Sequence, residues 1–176
     1  MGDFKSISIL MIAEGMPENT ADYFYTSTDS LYVQNTISAF QQTGFLVQSI
    51  ADITRLGVYL TVAVKEPRPG VSMPRELIVK YAPALEAEIK QFPNLKVLLL
   101  MGDVAIKALN LIAHRKTGKA CIPAGSTYKI RDQEYFFEGM RVFPSYLQTG
   151  KNFLIEKAKQ RMVADDIRRA FEWIKN

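Results

Sequence analysis

Three continuous apolar runs constrain the fold of this chain more than any other feature of its sequence. They are residues 6–13, 58–64 and 97–101. Each run ends in Gly or Pro residues that favour a turn. Longer amphipathic segments lie between and after the runs, at 30–43, 74–91 and 104–115. Buried strands that alternate with helices are typical of a mainly parallel sheet covered on both faces. We therefore predict one three-layer α/β/α domain over residues 1–176, with a central sheet of about four strands.

The C-terminal third predicts three further elements. Residues 127–130 and 134–137 suggest a small hairpin, and 141–143 a last short strand. From about 151 to 174 the apolar residues recur at helical spacing. Pro83 is expected to kink or interrupt the helix over 74–91, because proline removes a backbone donor.

Composition excludes several classes of protein. The chain has 176 residues, 48% of them hydrophobic, which excludes intrinsic disorder. No apolar run reaches the roughly 18 residues of a membrane span, and the N-terminus lacks the pattern of a secretory signal. One cysteine, Cys121, and one histidine, His114, cannot supply an ordinary zinc site or a four-cysteine cluster. We expect a cytoplasmic monomer without membrane contact, metal or cofactor.

Charge is unevenly distributed along the chain. Residues 1–88 contain 6 Lys and Arg against 10 Asp and Glu, whereas residues 89–176 contain 16 against 8. A basic half on a compact domain is one mark of a surface that faces a polyanion such as DNA. The alternative is a solvated face without a partner.

Ligands of parallel α/β sheets bind at the carboxyl ends of the strands. Three connecting segments are therefore candidates for the site, at 14–25, 65–72 and 143–152. Gly150-Lys151 is not part of a phosphate-binding loop, since Ser145 and Asn152 stand where that motif needs Gly and Ser or Thr. The sequence also contains no G-x-G-x-x-G.

Short motifs at these segments resemble those of the uracil-DNA glycosylase superfamily. The first is Ala13-Glu14-Gly15-Met16-Pro17, and the second is Val142-Phe143-Pro144-Ser145-Tyr146-Leu147. Between them, Leu60-Thr61-Val62-Ala63-Val64-Lys65 is similar to the second-strand segment of that superfamily. The resemblance covers roughly residues 6–150. It implies an α/β fold and excision of a damaged or deaminated base from DNA after the nucleotide is flipped out.

The resemblance also implies a set of site residues. The catalytic candidates are Glu14, which would orient water or stabilise positive charge, and Asn19. Substrate-binding candidates are Gly15, Met16, Pro17, Phe24, Tyr25, Val62, Phe143 and Ser145. DNA-binding candidates are Tyr146, Leu147 and Lys151. Six of these residues also have ordinary structural alternatives. Glu14 would cap a turn or pair with a basic residue, and Asn19 would cap a turn. Phe24 and Tyr25 would be core aromatics, Leu147 a core anchor and Lys151 a solvated lysine.

Four positions named here depart from the motifs of the superfamily. Val62 stands where the family has an asparagine that reads uracil, and Phe143 where it has a histidine that donates to the uracil oxygen. Weak uracil excision is therefore expected. At two positions that resemble iron–sulfur ligands the chain has Glu66 and Tyr81, so no cluster is expected.

Three functional hypotheses remain open on the sequence alone. The first is a DNA glycosylase-like hydrolase with an altered pocket. The second is a catalytically lapsed member that binds nucleic acid or a nucleotide. The third is an α/β protein with an unrelated small-molecule role, which shares only the fold.

Overall fold

Five strands form a single sheet in the computed structural model, which describes residues 3–176. The strands are β1 (Ile9–Met16), β2 (Val58–Pro67), β3 (Val97–Met101), β4 (Tyr135–Phe137) and β5 (Met140–Ser145). Their order across the sheet is β2-β1-β3-β5-β4, and only β4 runs antiparallel to its neighbour. The predicted α/β class with a mainly parallel central sheet is confirmed, with one strand more than expected.

Helices cover both faces of this sheet. They are α1 (Leu31–Gln42), α2 (Ile50–Arg55), α3 (Arg75–Lys90), α4 (Asp103–Thr117), α5 (Thr127–Ile130) and α6 (Lys157–Ile174). Successive side chains of β1 point to opposite faces, as the pleat of a strand requires. Leu10 and Ile12 pack in the core formed with α3 and α4, whereas Ile9 and Met11 pack in the core formed with α1, α2 and α6. Burial on both faces explains why the parallel strands are almost wholly apolar.

The predicted hairpin of residues 127–130 and 134–137 is wrong in its first arm. Residues 127–130 form the short helix α5, and β4 pairs instead with β5. The turn between β4 and β5 is Glu138-Gly139, where both residues have positive φ. Gly139 adopts that conformation at no steric cost, so the tight turn forms here rather than at Asp132-Gln133.

Two helices also differ from their predicted form. Helix α3 runs without interruption through Pro83, although its ring costs a helix interior about 3 kcal/mol. Burial of apolar side chains along α3, among them Ile78, Leu85 and Ile89, offsets that cost. Helix α6 begins at Lys157 rather than near 151, because residues 151–155 form turns.

The order of the strands places a crevice at one end of the sheet. From β1 the chain moves outward to β2, and it then crosses back to β3 and continues to β5. The direction of winding therefore reverses between β1 and β3, and ligands of open α/β sheets bind outside the carboxyl ends of the strands at such a point. The segments that follow β1, β2 and β5 all emerge at that end.

Candidate functional site

A cleft of about 410 Å³ lies at the carboxyl ends of β1, β2 and β5. Its walls come from the end of β1, the following loop, the first turn of α1, the loop after β2 and the loop after β5. We expected segments 14–25 and 143–152 to meet at one edge of the sheet, and they do so here; the candidate segment 65–72 joins them through Arg68 and Gly70. The lining side chains and turns include Glu14, Gly15, Met16, Pro17, Asn19, Tyr32, Arg68, Leu147, Thr149, Gly150 and Lys151.

Glu14 is the partly buried carboxylate of this cleft, with 18% of its side chain exposed. Its Oε1 lies 3.5 Å from Nη1 of Arg68, which is on the loop after β2. Burial raises the pKa of Glu14 above its ordinary value, and the negative charge of Asp103 raises it further. Arg68 and Lys107 act in the opposite direction and lower that pKa. The result is a carboxyl group with increased proton affinity that is still held by a cation, a combination suited to acid–base chemistry.

The pairing of β1 with β2 becomes irregular just after Glu14, next to the cleft. The pairing of β1 with β2 shifts between Gly15 and Met16, so that Gly15 faces Val64 while Met16 faces Pro67. Bulges at the end of a strand re-aim the neighbouring side chains. A Cβ at Gly15 would lie 3.1 Å from the carbonyl oxygen of Glu66, so the close approach of the two strands requires glycine here.

Tyr32 holds the same strand end from the side of α1. Its hydroxyl donates a 2.6 Å hydrogen bond to the carbonyl oxygen of Gly15. Burial raises the pKa of Tyr32 to about 12, so the phenol stays protonated and remains a donor at neutral pH. Helix α1 is itself fixed by its N-cap, where the hydroxyl of Ser30 accepts from the amide of Val33.

The loop after β5 closes the cleft on its other side. Gly102, with φ of 102°, lets Leu147 approach: a Cβ at Gly102 would lie 3.2 Å from that of Leu147. The buried Asn35 on α1 donates a 3.1 Å hydrogen bond to the carbonyl oxygen of Gly150. Leu147 therefore lines the cleft on a fixed segment, and the exposed Lys151 stands at its rim.

Asn19 lines the cleft, but its side chain also has a structural task. Its Oδ1 accepts a 3.1 Å hydrogen bond from the amide of Ala21 and caps the short 3-10 helix Thr20–Asp22. The two interpretations of Asn19, a capping residue and a group facing the ligand, are thus compatible in position. Gly15, Met16 and Pro17 line the floor beside Glu14, as predicted.

Four predicted substrate-binding residues lie outside this cleft. Val62, Phe143 and Phe24 are buried in the core beneath α1, α2 and α6. Ser145 is fully buried and donates a 2.5 Å hydrogen bond to Oδ2 of Asp166 on α6. The placement of these residues in the cleft has to be corrected, because the alternation of a regular strand turns Val62 and Phe143 toward the helices on that face. Phe143 therefore does not plug the cleft.

Tyr25 also stands apart from the cleft. Its hydroxyl donates to the carbonyl oxygen of Leu60 and accepts from the amide of the same residue, both at 2.8 Å. The phenol thereby satisfies backbone groups on the free edge of β2, a position that otherwise invites pairing with another chain. Together with Phe24 it lines a second cavity of about 830 Å³, whose one charged lining residue, Arg55, is paired with Asp52. The residues lining that cavity include no carboxylate, histidine, lysine or cysteine, so we place the candidate site at Glu14.

The lining residues that were not anticipated individually from the sequence include Arg68, Tyr32 and Thr149. Arg68 lies within the candidate segment 65–72, and its positive charge could have indicated a partner for the Glu14 carboxylate. Tyr32 sits on a helix face whose pattern is that of ordinary packing, so only the tertiary structure reveals that its hydroxyl reaches β1.

The two positions that resemble iron–sulfur ligands lie together in space. The hydroxyl of Tyr81 donates a 2.7 Å hydrogen bond to Oε2 of Glu66, which also pairs with Lys80 at 3.3 Å. A phenol–carboxylate hydrogen bond thus links these positions. Among residues 3–176, no group of three or more His, Cys, Asp and Glu side chains is arranged to hold a metal ion. Nor does that part of the chain contain a helix with the length and apolar character of a bilayer span.

Comparison with known proteins adds no further constraint. No protein-family model matches the chain, and no curated protein matches it.

Proposed function

We propose that the cleft hydrolyses an N-glycosidic bond of a damaged or deaminated nucleotide in DNA, with Glu14 as the catalytic carboxylate. The observation that carries this proposal is a partly buried, cation-paired carboxylate on the floor of a cleft at the switch point of the sheet. Ordered motifs at the same two strand ends, which resemble those of the uracil-DNA glycosylase superfamily, support the choice of reaction.

The chemistry needs few protein groups. The bond between C1′ and the base nitrogen breaks, and its electron pair leaves with the base. The oxygen of a water molecule bonds to C1′, and the proton lost from that water passes to the Glu14 carboxylate. The same carboxylate stabilises the positive charge that develops on the sugar, as carboxylates do in other glycoside hydrolyses.

The side chains around Glu14 suit its two roles as proton acceptor and as stabiliser of the sugar cation. Arg68 pairs with the carboxylate and favours its ionised form, against the burial that favours its protonated form. Met16, Pro17 and Leu147 offer apolar surface for a flat base. Lys151 at the rim offers a positive charge for a backbone phosphate.

We expect the preferred substrate base to be one other than uracil, and uracil excision to be weak. Loss of the uracil ring as an anion is accelerated by a donor near its oxygen, and loss of one such donor costs on the order of 100- to 1000-fold. Phe143 and Val62, at the positions of the family's histidine and asparagine, are packed in the core. The one histidine of the chain, His114, is exposed near the end of α4.

The test is an excision assay with a matched pair of variants. Purified protein is incubated with single strands and duplexes that contain uracil, hypoxanthine, xanthine or oxidised bases, and abasic sites are cleaved and counted. Glu14→Gln should lower the rate on the preferred base by about 100-fold or more, because general base catalysis contributes about that much. Glu18→Gln, a change at an exposed residue of the same cleft, should alter the rate by less than about 3-fold. Equal activity of the Glu14→Gln and unmodified proteins would contradict the proposal.

A second candidate is binding of a nucleotide without turnover. The buried positions of Phe143 and Ser145 favour it, since neither residue of the second motif reaches the cleft. In that case a labelled nucleotide would bind, Arg68→Gln and Lys151→Gln would weaken its binding, and no base would be released from any substrate.

A further inference from the structure

Four aromatic and basic side chains stand on the loop after β5, on α5, which packs against β5, and on the first turn of α6. We call this set the tyrosine strip, and it consists of Tyr146, Tyr128, Lys129 and Lys159. Leu147 lines the cleft, and the adjacent Tyr146 is partly exposed beyond it. The strip therefore begins where the cleft ends.

Tyr146 lies under a cation. The Nζ atom of Lys159, on the first turn of α6, is 5.7 Å from the centre of the Tyr146 ring, within the range of a cation–π contact. Lys159 also pairs with Glu156 at 2.7 Å. Its aliphatic stem and the ring together form one surface, with the ammonium group at its edge.

Tyr128 is the most exposed aromatic residue of the strip. It lies on α5, which packs against β5, and 69% of its surface is accessible. Burial raises the pKa of Tyr146, whereas the positive charges of Arg131 and Lys159 lower it. Within residues 3–176, Tyr128 makes no hydrogen bond, and the neighbouring Lys129 makes no ion pair. The Tyr128 phenol and the Lys129 ammonium group are therefore both accessible to a ligand.

We propose that the tyrosine strip binds single-stranded DNA and leads one nucleotide into the cleft. Unpaired bases stack on Tyr128 and Tyr146, while Lys129, Lys159 and Lys151 contact phosphates. Aromatic rings bind single strands because every unpaired base exposes a flat π-face, whereas a duplex hides its bases within the stack. The strip lies in the basic half of the chain, so its charge complements that of the strand. The inference rests on the proposed function only for the identity of the cleft.

The experiment measures binding, so it is independent of turnover. Fluorescence anisotropy gives the Kd of a labelled strand of about 16 nucleotides, and of the duplex of the same sequence, at fixed low salt. The single strand should bind more tightly than the duplex. Tyr128→Ala and Tyr146→Ala should each raise the Kd of the single strand by roughly 5- to 150-fold. Tyr146→Phe should restore binding, because a phenyl ring still stacks.

A second lysine–tyrosine pair supplies the matched control. Lys80 lies 5.2 Å from the ring centre of Tyr81 and pairs with Glu66, so it repeats the contacts of Lys159 on the opposite face of the sheet. Lys159→Gln should weaken binding of the single strand, and Lys80→Gln should leave it unchanged. Circular dichroism confirms that each variant is folded.

The outcomes separate the strip from the reaction. Strand binding that depends on Tyr128 and Tyr146, without base release by any variant, supports the strip and contradicts the proposed hydrolysis. Base release that depends on Glu14, with equal binding of single strand and duplex and no effect of Tyr128→Ala, overturns the strip alone. Absence of binding to either form at low salt also overturns it.

Discussion

The neighbours of Glu14 have opposing effects on its pKa. The protonation of this single residue therefore gives a direct test of the proposed site. Burial and Asp103 raise that pKa, whereas Arg68 and Lys107 lower it. A carboxyl group with a raised pKa also destabilises the folded protein when the group is ionised. Because the folded protein holds the Glu14 proton more tightly than the unfolded chain does, the contribution of this group to stability falls as pH rises through its raised pKa.

The Arg68→Gln variant should shift the acidic limb of the pH–rate profile to higher pH. The proposed reaction uses ionised Glu14, so the rate is lost as pH falls through the pKa of that group. Removal of the Arg68 cation raises this pKa further, because an opposite charge nearby favours the ionised form. Rates on the preferred base between about pH 4 and 9 would measure the shift.

Asp103→Asn is the complementary change. Asp103 raises the pKa of Glu14, so its neutralisation should move the acidic limb to lower pH. Shifts of both variants in the same direction would show that a group other than Glu14 controls the profile.

At the scale of elements, a buried ion cluster joins α6 to the rest of the fold. Asp166 on α6 is inaccessible to solvent and accepts from Nη2 of Arg131 at 2.8 Å and from Nη2 of Arg169 at 2.6 Å. It also accepts the hydrogen bond of Ser145 at the end of β5. The serine of the second motif therefore fixes the start of the loop that carries Leu147, rather than contacting a phosphate.

Asp166→Asn should destabilise the protein by about 3–5 kcal/mol. The change removes the carboxylate charge and leaves the guanidinium of Arg131, which is 9% exposed, buried without full compensation. The free energy of unfolding in urea measures the effect. Glu172→Gln is the control: its carboxylate is 56% exposed and, within residues 3–176, pairs only with the exposed Arg168, so its loss should cost less than about 1 kcal/mol. Equal losses for the two variants would contradict a special role for the buried cluster.

At the scale of the whole molecule, charged residues from both halves of the sequence meet at the cleft. The acidic half supplies Glu14, Glu18, Asp22 and the cation Arg68 to the cleft, while the basic half supplies Lys151 at its rim. Lys151 is exposed and forms no ion pair with residues 3–176. It is therefore free to contact a phosphate of a strand that enters from the tyrosine strip.

Binding of a single strand should weaken steeply with salt, and Lys151→Glu should reduce that dependence. Each neutralised phosphate of a single strand contributes about −0.7 to the slope of log K against log salt concentration. Loss of the Lys151 contact should flatten the slope by about that amount and lower the affinity for all sequences alike. Lys5→Glu is the control, since Lys5 is exposed and precedes β1 at the other end of the sheet. An unchanged slope for Lys151→Glu would place the phosphates elsewhere.

Local pattern determined the class of this fold and the end of the sheet that holds the cleft. The apolar runs at β1, β2 and β3 are readable because a strand buried on both faces has to be apolar throughout. The same pattern predicts that the segments after β1, β2 and β5 lie together, since the carboxyl ends of parallel strands meet at one edge of a sheet. Glu14, Asn19, Leu147 and Lys151 were anticipated as site residues and line one cleft.

Which side chains of a motif enter that cleft was decided only by the tertiary structure. Phe143 and Val62 belong to segments that resemble the motifs, yet the alternation of side chains along their strands places them in the core. The Ser145 hydroxyl donates its hydrogen bond to Asp166 instead of facing the cleft. Arg68 reaches Glu14 across a bulge whose register depends on contact between β1 and β2. Such contacts join residues far apart in the chain. Sequence periodicity reports only on near neighbours, so it identified the strand ends but not the partners that meet there.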